Sequence, residues 1–564
     1  MSLSIIAKTS VSDLGNLPFF MLGAYLLMLI SVGIYGYIKS KKTEEDYYLA
    51  GRQQGFIVTF LTIMAAFFSS SAMLGIPGAI YRDGVAFMPF TLNLAVGGCA
   101  IYLLGSRISR IGRVKGYVTP GDMLCDYYDG STAIRILVAL LGFLYVVPYV
   151  VIQIRAGGHL AEQVFSARPF VSIFGCQFAM FNVGATVLTG VMMLYILVGG
   201  MRSVAIADVI QGGMLLAGML IAGFATIFVF GGVGKYFGAI SKLPREALSL
   251  PGPAGRYTPW MLMTICIFAS LASLIQPAQW MRMYAAKSAK ALKRSAIIFS
   301  VILPICFLFG VMVVGLGARA LYPPTVTTDR VSGQVTITAH PEVGSHDQAL
   351  VALLKNEGPK ALGPASGIIV MVIMMAILAA SMSTADANLH ALSAVLTRDI
   401  YYRLIRPSSG EKERMWAGRG VIATGALLAL WLVYVGQKNE DFAPLKMIVE
   451  MQFVAMGFSC QVLPLVIDML FIRRGTRAGA VCGMTVGLIV VMMFTPLPRV
   501  LLGHGTGASI ANTAGYLKTL FDIGFCGFVA NASVFVLVSM FTKKPNPERV
   551  AEFEEIMLKK EISD

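Results

Sequence analysis

The sequence predicts an all-α membrane protein of about thirteen transmembrane helices, and three observations carry that prediction. Of 564 residues, 56% are hydrophobic and 13% charged, about half the charged share of a soluble domain. Apolar runs of about 20 residues, enough to cross a bilayer as a helix, recur from end to end. Runs such as 19–34 and 368–380 are apolar on every face, whereas a membrane β-barrel alternates apolar and polar over segments of about ten residues.

The first span, 17–38, is too long for a signal-peptide core. Lys8 precedes it and Lys39, Lys41 and Lys42 follow it, an asymmetry that puts the N-terminus outside and the first loop inside. Spans then follow at 57–80, 85–105, 132–164, 176–198 and 203–231, at 259–284, 291–320, 366–402, 415–436 and 443–471, and at 477–498 and 517–541. An odd count returns the C-terminus to the cytoplasm, where residues 545–564 read as a short charged surface helix. The loops that this count places inside hold most of the basic residues, in clusters at 107–115, 282–294 (Arg282 included), 398–419, 473–477 and 543–560. Lys235, Lys242 and Arg245 in an outside loop are the exception. The net charge of +15 is thus a topology signal, and the expected partner is the lipid bilayer of a cell membrane, not nucleic acid. The longest polar segment, 322–363, lies outside and reads as a turn-rich excursion followed by a short amphipathic helix, placed to cover a gate. Eight isolated cysteines and five scattered histidines give neither a disulfide framework nor a zinc site.

Helix breakers at membrane depth release backbone groups that need a partner, so they point to ion or solute sites. Two spans carry them. One has Ser69, Ser70 and Ser71 followed by Gly75, Pro77 and Gly78; the other has Ser270, Ser273, Gln276 and Pro277. If spans two to six and seven to eleven are two inverted five-helix repeats, these spans stand first in each repeat. Close helix packing by small residues is the other reading. Charged residues inside spans are Arg155, Asp208, Asp386 and Glu450, each costly at the bilayer centre unless paired or coordinated. Arg155 needs an acceptor, either a solute carboxylate or a protein acid such as Asp386 or Glu450. In the ninth span Ala380, Ser383 and Thr384 lie at i, i+3 and i+4 on one helical face. A carbonyl with two hydroxyls suits a small hard cation such as sodium; back-bonding of the hydroxyls to their own helix is the alternative.

Several stretches together resemble the sodium/solute symporter family: EDYYLAGRQ at 45–53, GIPGAIYRDG at 75–84, GGMRSVAIADVIQGGML at 199–215, AASMSTADANL at 379–389 and LTRDIY at 396–401. The resemblance covers about 41–474 and implies a LeuT-like core of two inverted five-helix repeats, 57–231 and 259–471, within a single transporter domain, 1–544. One helix, 17–38, precedes that core and two, within 477–541, follow it. It also implies sodium as coupling ion. The family's sodium site, carried over by motif, falls on the carbonyls of Ala65, Phe68 and Ala380 and the hydroxyls of Ser383 and Thr384. Asp208 matches an aspartate that some relatives use for a further sodium, while Asp386 and Ala387 stand where those relatives have hydroxyls; Ala387 offers no side-chain oxygen. Asp208 and Asp386 are therefore the candidates for a second cation, and Ser69, Ser70, Gly75, Arg155 and Gln276 for the solute.

The function expected is sodium-coupled import of a small organic solute by alternating access, with a monocarboxylate or amino acid favoured through Arg155. A sugar, polyol or vitamin is the alternative within the family. A membrane sensor is disfavoured because the twenty residues after Lys544 are too few for a signalling module. No nucleophile–base pair, HExxH or phosphate loop suggests an enzyme.

Overall fold

The computed structural model describes residues 16–41, 43–165, 169–173, 175–328, 335–438, 448–495, 498 and 507–558. Among these, strands are confined to two antiparallel hairpins, β1 (Phe170–Ile173) with β2 (Cys176–Ala179) and β3 (Thr325–Thr328) with β4 (Val335–Thr338). Lys8 lies outside the described residues.

The chain opens with α1 (Leu17–Lys39) and α2 (Glu44–Leu49), followed by α3 (Phe56–Phe67), α4 (Ile76–Asp83), α5 (Leu92–Ala100), α6 (Ser106–Lys115), α7 (Pro120–Tyr127), α8 (Thr132–Val164) and α9 (Met180–Val229). After the short α10 (Val233–Ile240) come α11 (Pro259–Ile275), α12 (Pro277–Ala285), α13 (Ala289–Phe307), α14 (Val313–Leu321), α15 (Ala349–Leu362), α16 (Ser366–Val395), α17 (Glu411–Lys438), α18 (Ile448–Ser459) and α19 (Leu463–Ile467). The chain closes with α20 (Arg477–Met493), α21 (Ala508–Leu520), α22 (Ile523–Phe541) and α23 (Pro547–Leu558). Many starts follow one local rule. Thr119, Ser131, Thr258, Ser288, Thr476 and Asp522 sit just before helices and accept a backbone N–H three residues on, each cap contributing about 1 kcal/mol.

By length and apolarity, nine described helical runs can cross a membrane, ten if α11 and α12, bent by 60° at Gln276, form one span. This falls short of the predicted thirteen for identifiable reasons. The spans at 176–198 and 203–231 run together as the 50 residues of α9, which as one rod would be about 75 Å long against an apolar core of about 30 Å. Gly200 (φ 58°, ψ −154°) interrupts it. A Cβ there would also lie 2.6 Å from the ring of Tyr47, so glycine is required both by backbone and by space. Residues 176–179 form β2 and do not begin a span, and the last span starts at Ile523, after a break at Phe521–Asp522. At 12 and 17 residues, α3 and α20 are too short to qualify alone.

The polar segment 322–363 holds a hairpin followed by α15, whose first turns, Ala349 to Leu354, are buried on all sides and not amphipathic. The tail helix α23 is likewise no free surface helix. Phe553 is fully buried against Tyr127, Arg549 pairs with Asp126 at 2.5 Å, and Lys115 and Arg473 pair with Glu552 and Glu554.

Candidate functional site

The first interrupted span leaves helical geometry at Phe68 (φ −89°, ψ 99°), between α3 and a π-helical turn at Ser71–Gly75. The break turns carbonyls of α3 sideways toward α16. Ser383 Oγ donates to Ala65 O at 3.0 Å and Ala380 O at 3.1 Å. Thr384 Oγ1 approaches Ala65 O at 3.2 Å and Phe68 O at 3.4 Å. All five residues are buried. Five neutral oxygens thus converge, as expected from the motif and the i, i+3, i+4 spacing. Oxygens about 2.4 Å from a common cation and at right angles to one another lie about 3.4 Å apart, the packing that hard-cation sites use. With no carboxylate among them the set suits a monovalent ion. No cluster of three or more His, Cys, Asp or Glu that could hold another metal occurs among the described residues.

Two further sets of side chains hold the break open. From α8, Gln153 Oε1 accepts from Ser70 N–H at 3.1 Å and from Ser70 Oγ at 2.7 Å, while Ser69 and Ser71 hydroxyls pair at 2.8 Å. From α12, Gln279 Nε2 donates to Ile63 O and Arg282 Nε to Thr62 O, both at 3.0 Å. Sequence reading placed Arg282 in a cytoplasmic loop. It is instead buried in the bundle, where Nη2 donates to Asp208 Oδ2 at 2.6 Å. Asp208 is therefore engaged by a guanidinium and is not solvated at a helix end. Asp386 accepts a hydrogen bond from Tyr195 and lies within Coulombic reach of both Asp208 and Arg282. Asp208 Oδ1 and Asp386 Oδ1 have no hydrogen-bond partner among the described residues.

The second interrupted span parts at one residue, Gln276 (φ −64°, ψ 150°), before Pro277 starts α12. Ser273 Oγ, Gln276 Oε1 and Gln279 Oε1 are buried and find no partner among the described residues. Gly75 does not face this space: a Cβ there would sit 2.8 Å from Val449 Cγ2, so it lets α18 approach.

Arg155 does not reach the centre either. It stands two residues after Gln153, about 200° around the helix, with its Nε 3.4 Å from His159 Nε2. The acids proposed as its partners are taken by others, Asp386 by Tyr195 and Glu450 by Arg256 at 3.2 Å and Arg82 at 3.6 Å. Gln153, Gln279 and Arg282 are the members that sequence reading missed; a polar side chain two positions from a candidate charge was the available signal for Gln153.

A crevice lined by Leu22, Leu160, Leu188, Met374 and Met382 is apolar and offers a polar solute nothing.

Comparison with known proteins gives concordant results. The family model of the sodium:solute symporter family matches residues 47–487. The chain is 25% identical to a sodium/proline symporter of Haemophilus influenzae over 94% of this chain and 95% of the relative. It is 26% identical to the high-affinity proline transporter PutP of Bacillus subtilis, over 93% and 98%. Its fold is similar to that of a Na+-coupled sialic acid symporter in a substrate-bound outward-open state (TM-score 0.70, 19% identity, 94% of this chain and 99% of that chain).

Proposed function

The chain belongs to the sodium:solute symporter family, with the LeuT-like fold and sodium as its coupling ion, and from that premise we propose that it imports a small carboxylate, an amino acid of proline's size first and a monocarboxylate second. The observation that carries the coupling is the convergence of Ala65, Phe68, Ala380, Ser383 and Thr384 oxygens. Sodium held there ties α3 to α16 across the two repeats, 57–231 and 259–471, so filling the site favours one arrangement of the repeats over the other. The carboxylate reading is supported by the proline transporters among its relatives; beside the second break the unpartnered Ser273 hydroxyl can donate to a carboxylate, and Gln276 Oε1 can accept from an amino acid's N–H.

Asp208, Asp386 and Arg282 together carry one net negative charge in the bundle when both acids are ionised, and this supports a second cation beside Asp386. Membrane insertion with the N-terminus and residues 322–363 outside and the tail cytoplasmic completes the reading, with no role for nucleic acid.

The test is uptake by proteoliposomes. An inward sodium gradient should drive accumulation of L-proline or acetate, and collapse of the gradient should abolish it. Sodium-driven accumulation of glucose with none of either carboxylate would refute the substrate class. Labelling of Ser345→Cys by an impermeant reagent in intact cells checks the orientation, and labelling only after lysis reverses it.

A further inference from the structure

We propose that α23 is an inhibitory clamp: it pins two groups of helices to each other at one end of the bundle and slows the movement between them that transport needs. This rests on the sodium-coupled transport above and not on the identity of the solute. The first group is gathered around α12, which holds α3 through Gln279 Nε2 to Ile63 O and Arg282 Nε to Thr62 O. On α12 lies α6, so closely that a Cβ at Gly112 would run into the ring of Tyr284 and one at Gly105 would stand 3.0 Å from Met283 Sδ. Arg113 Nη2 of α6 donates to Ala286 O at 2.6 Å. The second group is gathered around Asp122 of α7. Asp122 pairs with Arg135 of α8 at 3.2 Å and with Arg398, just past α16, at 2.7 Å, and Arg135 also pairs with Asp399 at 2.6 Å. Arg398 goes on to Glu44 of α2, which Arg414 of α17 holds at 2.8 Å. The oxygens of the proposed sodium site divide the same way, Ala65 and Phe68 with the first group, Ser383 and Thr384 with the second.

From the first group the chain passes to the second, from α6 to α7, through residues 116–119. Gly116 has φ 68°, and a Cβ there would meet nothing within 4 Å among the described residues, so the joint is a left-handed turn with open space beside it. Tyr117 and Lys115 reach over this joint to Asp126, and α23 lies across it. That helix carries four glutamates and one arginine, with Phe553, Ile556 and Met557 buried along one side. On α6, Arg110 Nη1 donates to Met557 O at 2.7 Å and Lys115 pairs with Glu552. On α7, Asp126 pairs with Arg549 at 2.5 Å, and Tyr127 meets Phe553 edge-on with ring centroids 5.2 Å apart. Arg473, past α19, pairs with Glu554. One short helix thus grips both groups, and a turn about the joint must break one set of its contacts. The rim of that grip is electrostatic and wet: the side chains of Glu552 and Glu554 are 44% and 43% exposed, and ion pairs so placed are screened by salt. The clamp therefore loosens as ionic strength rises.

The experiment reads the movement separately from transport. Spin labels at Val114→Cys on α6 and Lys412→Cys on α17, both exposed, report the distance between the groups in the full chain, with the exposed Cys99, Cys176 and Cys482 replaced by serine. Raising choline chloride from about 50 mM to about 500 mM at fixed sodium, which shortens the screening length about threefold, should add a second distance to the distribution. Glu552→Lys with Glu554→Lys should show that second distance at low salt and respond no further. In both cases sodium-driven uptake of L-proline should rise about 3- to 10-fold, the worth of two or three partly exposed ion pairs. Arg473→Glu with Glu554→Arg, which exchanges the partners, should restore slow uptake and the salt response that Glu554→Arg alone removes. Phe553→Ser takes away the buried anchor and no charge; it should also free the clamp, and it covers the case in which added lysines disturb folding. A distance distribution unmoved by these variants, a salt response kept by the double-lysine variant, or uptake slowed by release overturns the proposal. No uptake of L-proline with the distance response intact strikes the carboxylate reading alone.

Discussion

Where the first span parts, between Phe67 and Ser71, released backbone groups are met from three directions: hydroxyls of α16, Gln153 of α8 and Arg282 with Gln279 of α12. Where the second parts, at Gln276, the bend is sharp and three buried side-chain atoms have no partner among the described residues. Burying a polar group without a partner costs about 1–3 kcal/mol, so the second break retains a cost that the first has removed. The difference assigns labour. A site whose oxygens are already convergent suits a spherical ion, which needs only a cage; unpaired donors and acceptors suit a solute that brings its own polar groups.

The contrast is tested hardest at the strut between the two breaks. Arg282 leaves α12 just past the second break and holds both Thr62 O, ahead of the first, and Asp208. Asp208→Asn strands a buried guanidinium and should cost about 3–5 kcal/mol of stability, read as a lower thermal unfolding temperature of purified protein. Asp208→Asn with Arg282→Gln removes both charges and should regain most of the loss. A single variant as stable as wild type would show that the first break does not depend on this strut.

The ion cage comes next. Ser383→Ala and Thr384→Ala each remove one oxygen of the proposed sodium site and leave the helix intact. At about 1–1.5 kcal/mol apiece, the double variant should need about 100-fold more sodium for half-maximal uptake, with solute affinity at saturating sodium nearly unchanged. Unaltered sodium dependence means that the cage lies elsewhere.

How far this was legible follows from the kind of contact. Ala380, Ser383 and Thr384 lie within five residues, so helical geometry alone put their oxygens together. Ala65 and Phe68 needed the family motif, because the unwinding at Phe68 is set by tertiary partners and not by a proline or glycine at that position. Arg282 and Asp208, 74 residues apart, carry no local signal, and the rule that collects basic residues in inner loops assigned Arg282 wrongly. Arg155 misled for a simpler reason: on a helix, position 153 faces the break and position 155 faces away.

Gln153 provides the third test, at the first break. Gln153→Met keeps the volume but leaves Ser70 N–H and Oγ without their acceptor, which should cost about 2 kcal/mol and lower the unfolding temperature in sodium-free buffer. Added sodium should recover part of the loss, because an ion drawing in the carbonyls of Ala65 and Phe68 restores the same backbone course. A variant as stable as wild type without sodium means that the break holds itself.

Gln276→Ala should give the smallest effect and the opposite signature. Its Oε1 has no partner among the described residues, so removing the amide relieves a buried unsatisfied group and should leave stability unchanged or raise it by up to about 1 kcal/mol. The solute, by contrast, loses a polar contact. Its KM should rise about 5- to 10-fold, equivalent to about 1 kcal/mol, while the sodium concentration for half-maximal uptake stays within about twofold. Stability and solute affinity thus move apart at Gln276, whereas at Gln153 the stability loss is the primary effect. If Gln276→Ala destabilises the protein and leaves KM unchanged, the second break is braced like the first and the solute makes its contacts elsewhere.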